Sequence, residues 1–137
     1  MRQVADRKLW LGNAGDLREP RAIFEQDIQA VIELADNEPF ATLPRELIRC
    51  RFPLSDGGPN ASWLLRMACE SVAALLRSEV RTLICCSNGM SRSVCVAAGS
   101  ISLAEGVLLR EALTRVAASG PADVSPELFD QLRMAID

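Results

Sequence analysis

The chain contains no histidine. That absence removes Ser-His-Asp triads, Cys-His nucleophile pairs, histidine-ligated zinc and phosphohistidine chemistry. An excess of base is also missing: 15 Lys and Arg against 18 Asp and Glu leave a formal charge of −3. No overall positive field therefore draws in nucleic acid or an anionic membrane, and neither is expected as a partner. No apolar run reaches the ~18 residues of a membrane span. The start carries Arg2, Asp6, Arg7 and Lys8, where a secretion signal would need an apolar stretch. There is no CxxC pair, and Cys85 and Cys86 are adjacent, which disfavours a shared zinc; neither metal nor cofactor is expected. Cys50, Cys69, Cys85, Cys86 and Cys95 make an odd set in a chain too large and apolar to need a disulfide framework, which reads as reduced thiols in a cytoplasmic protein. Repeats, low-complexity runs and linker-like stretches are lacking too, so residues 1–137 read as one domain.

What is present alternates between two periodicities. Leu9, Trp10 and Leu11 read as a short strand stopped by a turn at Gly12, Asn13 and Gly15, with Trp10 in the core. Ile28 to Leu34 and Leu47 to Phe52 are β-rich runs, followed by loops containing Pro39, Pro44 and Pro53. Ala61 to Leu76 repeats apolar residues at helical spacing, with Leu64, Ala68, Val72 and Leu75 on one stripe behind an Asn60 cap. Trp63, Leu64 and Met67 read as part of a helix face. Val80 to Cys86 is a buried-strand run, broken by Ser87, Asn88 and Gly89 before a small-residue helix from Arg92 to Ala104. Leu108 to Ala118 and Pro126 to Ile136 continue as helices, parted by Gly120 and Pro121. The order predicts a three-layer α/β domain with a mainly parallel central sheet flanked by helices.

The chemistry concentrates in Cys86-Ser87-Asn88-Gly89-Met90-Ser91-Arg92-Ser93. A tight loop entering a helix turns successive backbone N–H groups inward, and with the positive end of the helix dipole they cradle a tetrahedral oxyanion. The same field favours the Cys86 thiolate, and the Arg92 guanidinium can grip two phosphoryl oxygens. Gly89 permits the close turn. A thiolate beneath a phosphate monoester attacks phosphorus and forms a phosphocysteine, provided an acid protonates the leaving oxygen. Asp56, in a loop after a predicted strand, is the candidate acid and later the base for the hydrolytic water; Asp36 is the weaker substitute. Ser93 is a candidate donor to the departing thiolate. The plainer alternatives are a small buried residue for Cys86 and a turn former for Asp56.

Cys85-Cys86-Ser87-Asn88-Gly89-Met90-Ser91-Arg92-Ser93 resembles the HCxxGxxRS signature of the dual-specificity protein phosphatases, within the cysteine-based tyrosine phosphatase superfamily. Leu9 to Asn13, Ile28 to Leu34, the position of Asp56, Glu111-Ala112-Leu113, and Pro126, Phe129, Gln131 and Leu132 are similar to that family from about Leu9 to Leu132. The resemblance implies a metal-independent phosphoprotein phosphatase acting on phosphotyrosine, and on phosphoserine and phosphothreonine. Cys86 would be the nucleophile, Arg92 the phosphate ligand, Asp56 the acid and base, Ser93 the thiolate donor, and Ser87 to Ser91 the phosphate loop. Those five loop residues carry no charge, which fits a monophosphate ester on a protein.

One position departs from the signature: where the family has histidine stands Cys85, whose thiol is a weaker donor and carries no positive charge. The expectation is a Cys86 thiol less acidic than the family's, with slow turnover or an optimum at higher pH. Two other readings follow, a phosphoprotein-binding module with little catalysis and, behind it, a thiol redox protein using Cys85 or Cys50 as partner. Oligomeric state is left open.

Overall fold

The computed structural model describes residues 1–44 and 46–136. Nearly continuous apolar runs, buried on both faces, build the inner strands of the sheet. Its strands are β1 (Arg2–Gln3), β2 (Leu9–Asn13), β3 (Ala30–Ala35), β4 (Ile48–Leu54) and β5 (Thr82–Cys86). Leu9, Leu11, Ile32, Leu34, Ile84 and Cys86 face one core; Trp10, Val31, Leu83 and Cys85 face another. The spatial order is β1-β2-β5-β3-β4, with β1 antiparallel to β2 and every other pairing parallel. β5 is thus central, between β2 and β3, and Asn13 pairs with Cys86 at its carboxyl end. The crevice outside the carboxyl ends of such strands is where α/β sheets place their ligands.

Helices cover both faces. α1 (Ala14–Arg18) and α2 (Arg21–Glu25) contribute Leu17 and Ile23 to the core containing Trp10. α3 (Ser62–Arg77), α4 (Arg92–Glu105), α5 (Leu109–Ala117) and α6 (Pro126–Ile136) pack over the other face. The expected three-layer α/β architecture is borne out. Residues Arg92 to Ile101 of α4 are all buried, because α4 is enclosed by the sheet and its sister helices. Small residues allow this: a Cβ on Gly99 would stand 2.5 Å from the Cys69 sulfur of α3. Among the described residues no helix is long and apolar enough to cross a membrane.

Four local expectations need correction. The chain does not turn at Gly12 and Asn13; the strand runs through Asn13, which then caps α1. Its side chain accepts the Asp16 N–H at 3.1 Å while the Asp16 carboxylate accepts the Asn13 N–H at 2.8 Å. That reciprocal box outweighs the turn propensity of Gly12 and Gly15. Asn60 does not cap α3: Ala61 holds that position without a side-chain bond, and the Asn60 amide is used elsewhere. The buried stripe of α3 is Leu65, Ala68, Cys69, Val72 and Ala73, with Leu64 and Leu75 only partly covered, so the helix is rotated from the expected face. Trp63 is 65% and Met67 49% exposed. Pro53 lies inside β4 and not in a following loop. β4 is an edge strand with a bulge between Arg51 and Leu54, where a missing N–H costs no ladder bond.

Candidate active site

Between Cys86 and Arg92 the chain must reverse from a central strand into a buried helix. Gly89 makes the turn with φ +71°, and a Cβ there would stand 2.8 Å from the Gly12 carbonyl oxygen, so the loop sits directly on the end of β2. Three loop carbonyls are drawn outward by three different parts of the fold. Ser87 O accepts from the Ala14 N–H at 3.3 Å, and Met90 O from the Asp123 N–H at 2.8 Å. Gly89 O accepts from the Arg2 guanidinium at 2.9 Å. Across a trans peptide C=O and N–H point oppositely, so the amides of Asn88, Met90 and Ser91 turn to the inner side. The Gly89 N–H donates to Cys86 Sγ at 3.2 Å. The start of the 14-residue α4 adds the positive end of its dipole to this ring.

Arg92 is 5% exposed and fixed by neighbours on three segments. Its Nη1 donates to Leu54 O at 2.9 Å, Asn37 Oδ1 at 3.1 Å and Asp36 Oδ1 at 3.3 Å. Its Nη2 donates to Ser87 Oγ at 3.1 Å. Arg92 Nε and Ser93 Oγ are buried with no protein partner. Leaving such a donor unmet costs about 1–3 kcal/mol. A pocket of about 60 Å³ is lined by Asp56, Cys86, Asn88, Met90, Ser91, Arg92 and Asp123.

Asp56 reaches this pocket because its loop is clamped. The Asn60 side chain accepts the Ser55 N–H at 2.8 Å and donates to Ser55 O at 2.8 Å and Gln131 Oε1 at 2.9 Å. Gln131 in turn donates to Gly58 O at 3.1 Å, and Ser125 Oγ to Asp56 O at 3.1 Å. Ser91, at the start of α4, makes no capping bond; its hydroxyl donates to Asp56 Oδ1 at 2.5 Å.

The cysteines separate by environment. Burial pushes the Cys69 thiol up to about 12, and raises Cys95 and Cys85 strongly, so all three stay protonated at neutral pH. Nearby Asp16, Cys86 and Glu33 add to the effect at Cys85. Cys85 and Cys86 point to opposite faces of β5, which works against a bond between them. Cys50 is half-buried at the margin of the core. Beside Cys85 and Cys86 a cavity of about 240 Å³ has apolar walls from Leu17, Ala35 and Phe40, with Arg18, Glu33, Glu38 and Arg51 also lining it.

The structure thus gathers Cys86, Asn88, Met90, Ser91, Arg92 and Asp56 at one pocket, with Ser87 holding Arg92 and Gly89 beneath the sulfur. Ser93 lies in the first turn of α4, its hydroxyl making no bond to Cys86. Asp36, weighed as a substitute acid, instead accepts from Arg92. Sequence reasoning passed over Asn37, Asp123 and Arg2, and over the clamp made by Asn60, Ser125 and Gln131. For Gln131 the signal was available as a polar residue on the inner side of a helix.

No family model and no curated protein matches the chain. Solved structures do. Human DUSP28 superposes with a TM-score of 0.86 at 22% identity, covering 98% of this chain and 94% of that one. A mouse putative dual specificity phosphatase complexed with zinc tungstate gives 0.85 at 23% identity, covering 98% and 85%. Human tyrosine phosphatase-like serine/threonine/tyrosine-interacting protein gives 0.80 at 17% identity, covering 98% and 93%. The resemblance read from the loop is borne out at the level of the fold: the chain folds as the dual-specificity phosphatases do.

Proposed function

We propose that this protein is a cysteine-dependent phosphatase that hydrolyses phosphate monoesters on proteins, without a metal, in the cytoplasm. The observation that carries the reading is the ring of inward amides around Cys86, closed by Arg92 and overlooked by Asp56. A phosphoryl oxygen would meet the unpartnered Arg92 Nε, and the pocket's neutral loop side chains suit a single phosphate. Tungstate, held by the similar mouse protein, is a tetrahedral oxyanion of phosphate-like shape.

In this mechanism Cys86 Sγ attacks phosphorus, the ester P–O bond breaks, and Asp56 delivers its proton to the departing oxygen. Water then attacks the phosphocysteine, Asp56 takes the proton, and the S–P bond breaks with Ser93 Oγ as donor to the returning thiolate. Phosphotyrosine is the leading substrate, with phosphoserine and phosphothreonine beside it.

The test is release of phosphate from an aryl phosphate in EDTA. Activity that is lost in Cys86→Ser and lowered by roughly a hundredfold in Asp56→Asn supports the reading. A second reading, a phosphoprotein-binding module, is favoured by the neutral, buried Cys85 where the signature has histidine, and one similar structure is named as an interacting protein. Phosphopeptide binding without phosphate release would select it.

A further inference from the structure

We infer that Arg2, a residue of the N-terminal strand β1, is a positioning residue for the phosphate loop: it holds the Gly89–Met90 peptide with its carbonyl outward and its N–H toward the bound phosphate. The inference rests on the proposed phosphatase site and adds a residue outside the signature. Arg2 Nη2 donates to Gly89 O at 2.9 Å and to Pro121 O at 2.6 Å, and Nε approaches Ser119 Oγ at 3.4 Å. One guanidinium therefore ties the loop to the segment after α5. That same segment grips the next loop carbonyl, Met90 O, through the Asp123 N–H at 2.8 Å.

Geometry explains why a cation is needed there. Ser87 O and Met90 O are met by backbone N–H groups, whereas Gly89, with φ +71°, has its carbonyl met by the Arg2 guanidinium. The same nitrogen bonds Pro121 O, a bridge that needs a long side chain with several donors. Without that anchor the peptide is free to flip, which would present an oxygen to the substrate's anion in place of an N–H. Register supports the placement: Arg2 pairs with Leu11 across β1 and β2, one residue from the Gly12 on which Gly89 rests.

Arg2 also adds positive charge. Partial burial lowers its pKa, and the Cys86 charge acts in the opposite sense, raising it, so the two groups sense one another. The charged and titratable groups around Cys86 are Arg2 from β1, Cys85 from β5, Arg92 and Cys95 from α4, Asp56 from the acid loop and Asp123 from the α5–α6 segment, with Arg18 from α1, Glu33 from β3, Glu38 from the segment after β3 and Arg51 from β4 lining the cavity that Cys86 shares with Cys85. Arg2 and Arg92 are the cations bonded to the loop itself, and Arg92 is already shared with Asp36.

The experiment compares the full-length protein with Arg2→Gln and Arg2→Lys. It reads kcat and KM on p-nitrophenyl phosphate and the pH midpoint of Cys86 alkylation by iodoacetamide. The expected results for Arg2→Gln are a kcat lowered about tenfold and an alkylation midpoint raised by about half a unit. Arg2→Lys, which keeps the charge but loses the fork, should fall between. A purely structural anchor would lower thermal stability and leave the midpoint unmoved. Wild-type values of both readouts in Arg2→Gln overturn the inference; if that variant does not fold, wild-type values of both in Arg2→Lys overturn it. Wild-type protein that releases no phosphate would refute the phosphatase reading, while the alkylation midpoints would still decide whether Arg2 governs the loop.

Discussion

Ser91 Oγ donates to Asp56 Oδ1 at 2.5 Å, so the Cys86–Arg92 loop itself holds the candidate acid at the pocket it shares with Cys86. The two residues belong to different loops, one entering α4 and one leaving β4, and this is a direct side-chain link between them. In the proposed mechanism, that hydroxyl would couple binding to proton transfer.

Ser91→Ala should lower kcat on phenyl phosphate by about tenfold. The effect should be smaller on p-nitrophenyl phosphate, whose leaving group needs less help from an acid. In an Asp56→Asn background the same change should add little, because the two residues act as one unit. Steady-state rates on both esters check this; equal losses on both would show that Ser91 serves only to shape the loop.

Asp36 and Arg92 give a second prediction. The carboxylate lies 3.3 Å from Arg92 Nη1 and is 44% exposed, so it offsets part of the positive charge that a phosphate would meet. Asp36→Asn keeps an oxygen acceptor and removes the offset. Vanadate should then bind about threefold more tightly, a small effect because the carboxylate is solvated. Inhibition constants against p-nitrophenyl phosphate measure it, and weaker binding would contradict the assignment.

Cys85→His restores the residue that the signature carries before the nucleophile. Its side chain borders the 240 Å³ cavity, which gives the larger ring room that a close-packed site would refuse. Asp16 and Glu33, whose charges already act on position 85, would oppose burial and favour a protonated imidazole there, and that cation beside Cys86 favours thiolate, whereas the Cys85 thiol stays neutral because burial raises its pKa well above the ordinary value. The sign is therefore fixed: the pH midpoint of Cys86 alkylation should fall, and activity on the acid side of the profile should rise. An unchanged midpoint would show that the residue at 85 acts only through packing.

Much of this site was legible in the sequence, and for local reasons. The candidate nucleophile, the arginine and the glycine sit within seven consecutive residues, Cys86 to Arg92, between an apolar run that reads as a buried strand and a small-residue run that reads as a buried helix. The apolar runs Leu9 to Leu11 and Val80 to Cys86 marked two strands, whose side chains the structure divides between both core layers. What stayed hidden depends on distance along the chain. Arg2 meets Ser119 across a separation of 117 residues, and Asn60 meets Gln131 across 71, which no local pattern encodes. Asn60 did look like a helix cap, and it failed as one because the Ser55 N–H and C=O in the acid loop and Gln131 Oε1 on α6 compete for its amide. α1 was missed because Gly12 and Gly15 signal a turn, while the stronger signal, Asn13 three residues before Asp16, was a capping box.

The most direct test of the account is to trap the intermediate. Asp56→Asn protein is mixed with an aryl phosphate, quenched in acid within the first turnovers and mapped by peptide mass spectrometry. The account predicts one phosphoryl group on the peptide bearing Cys86, absent when Cys86→Ser is added. Phosphate release that persists in Cys86→Ser, with no phosphoryl adduct on Cys86 at any time, would contradict it.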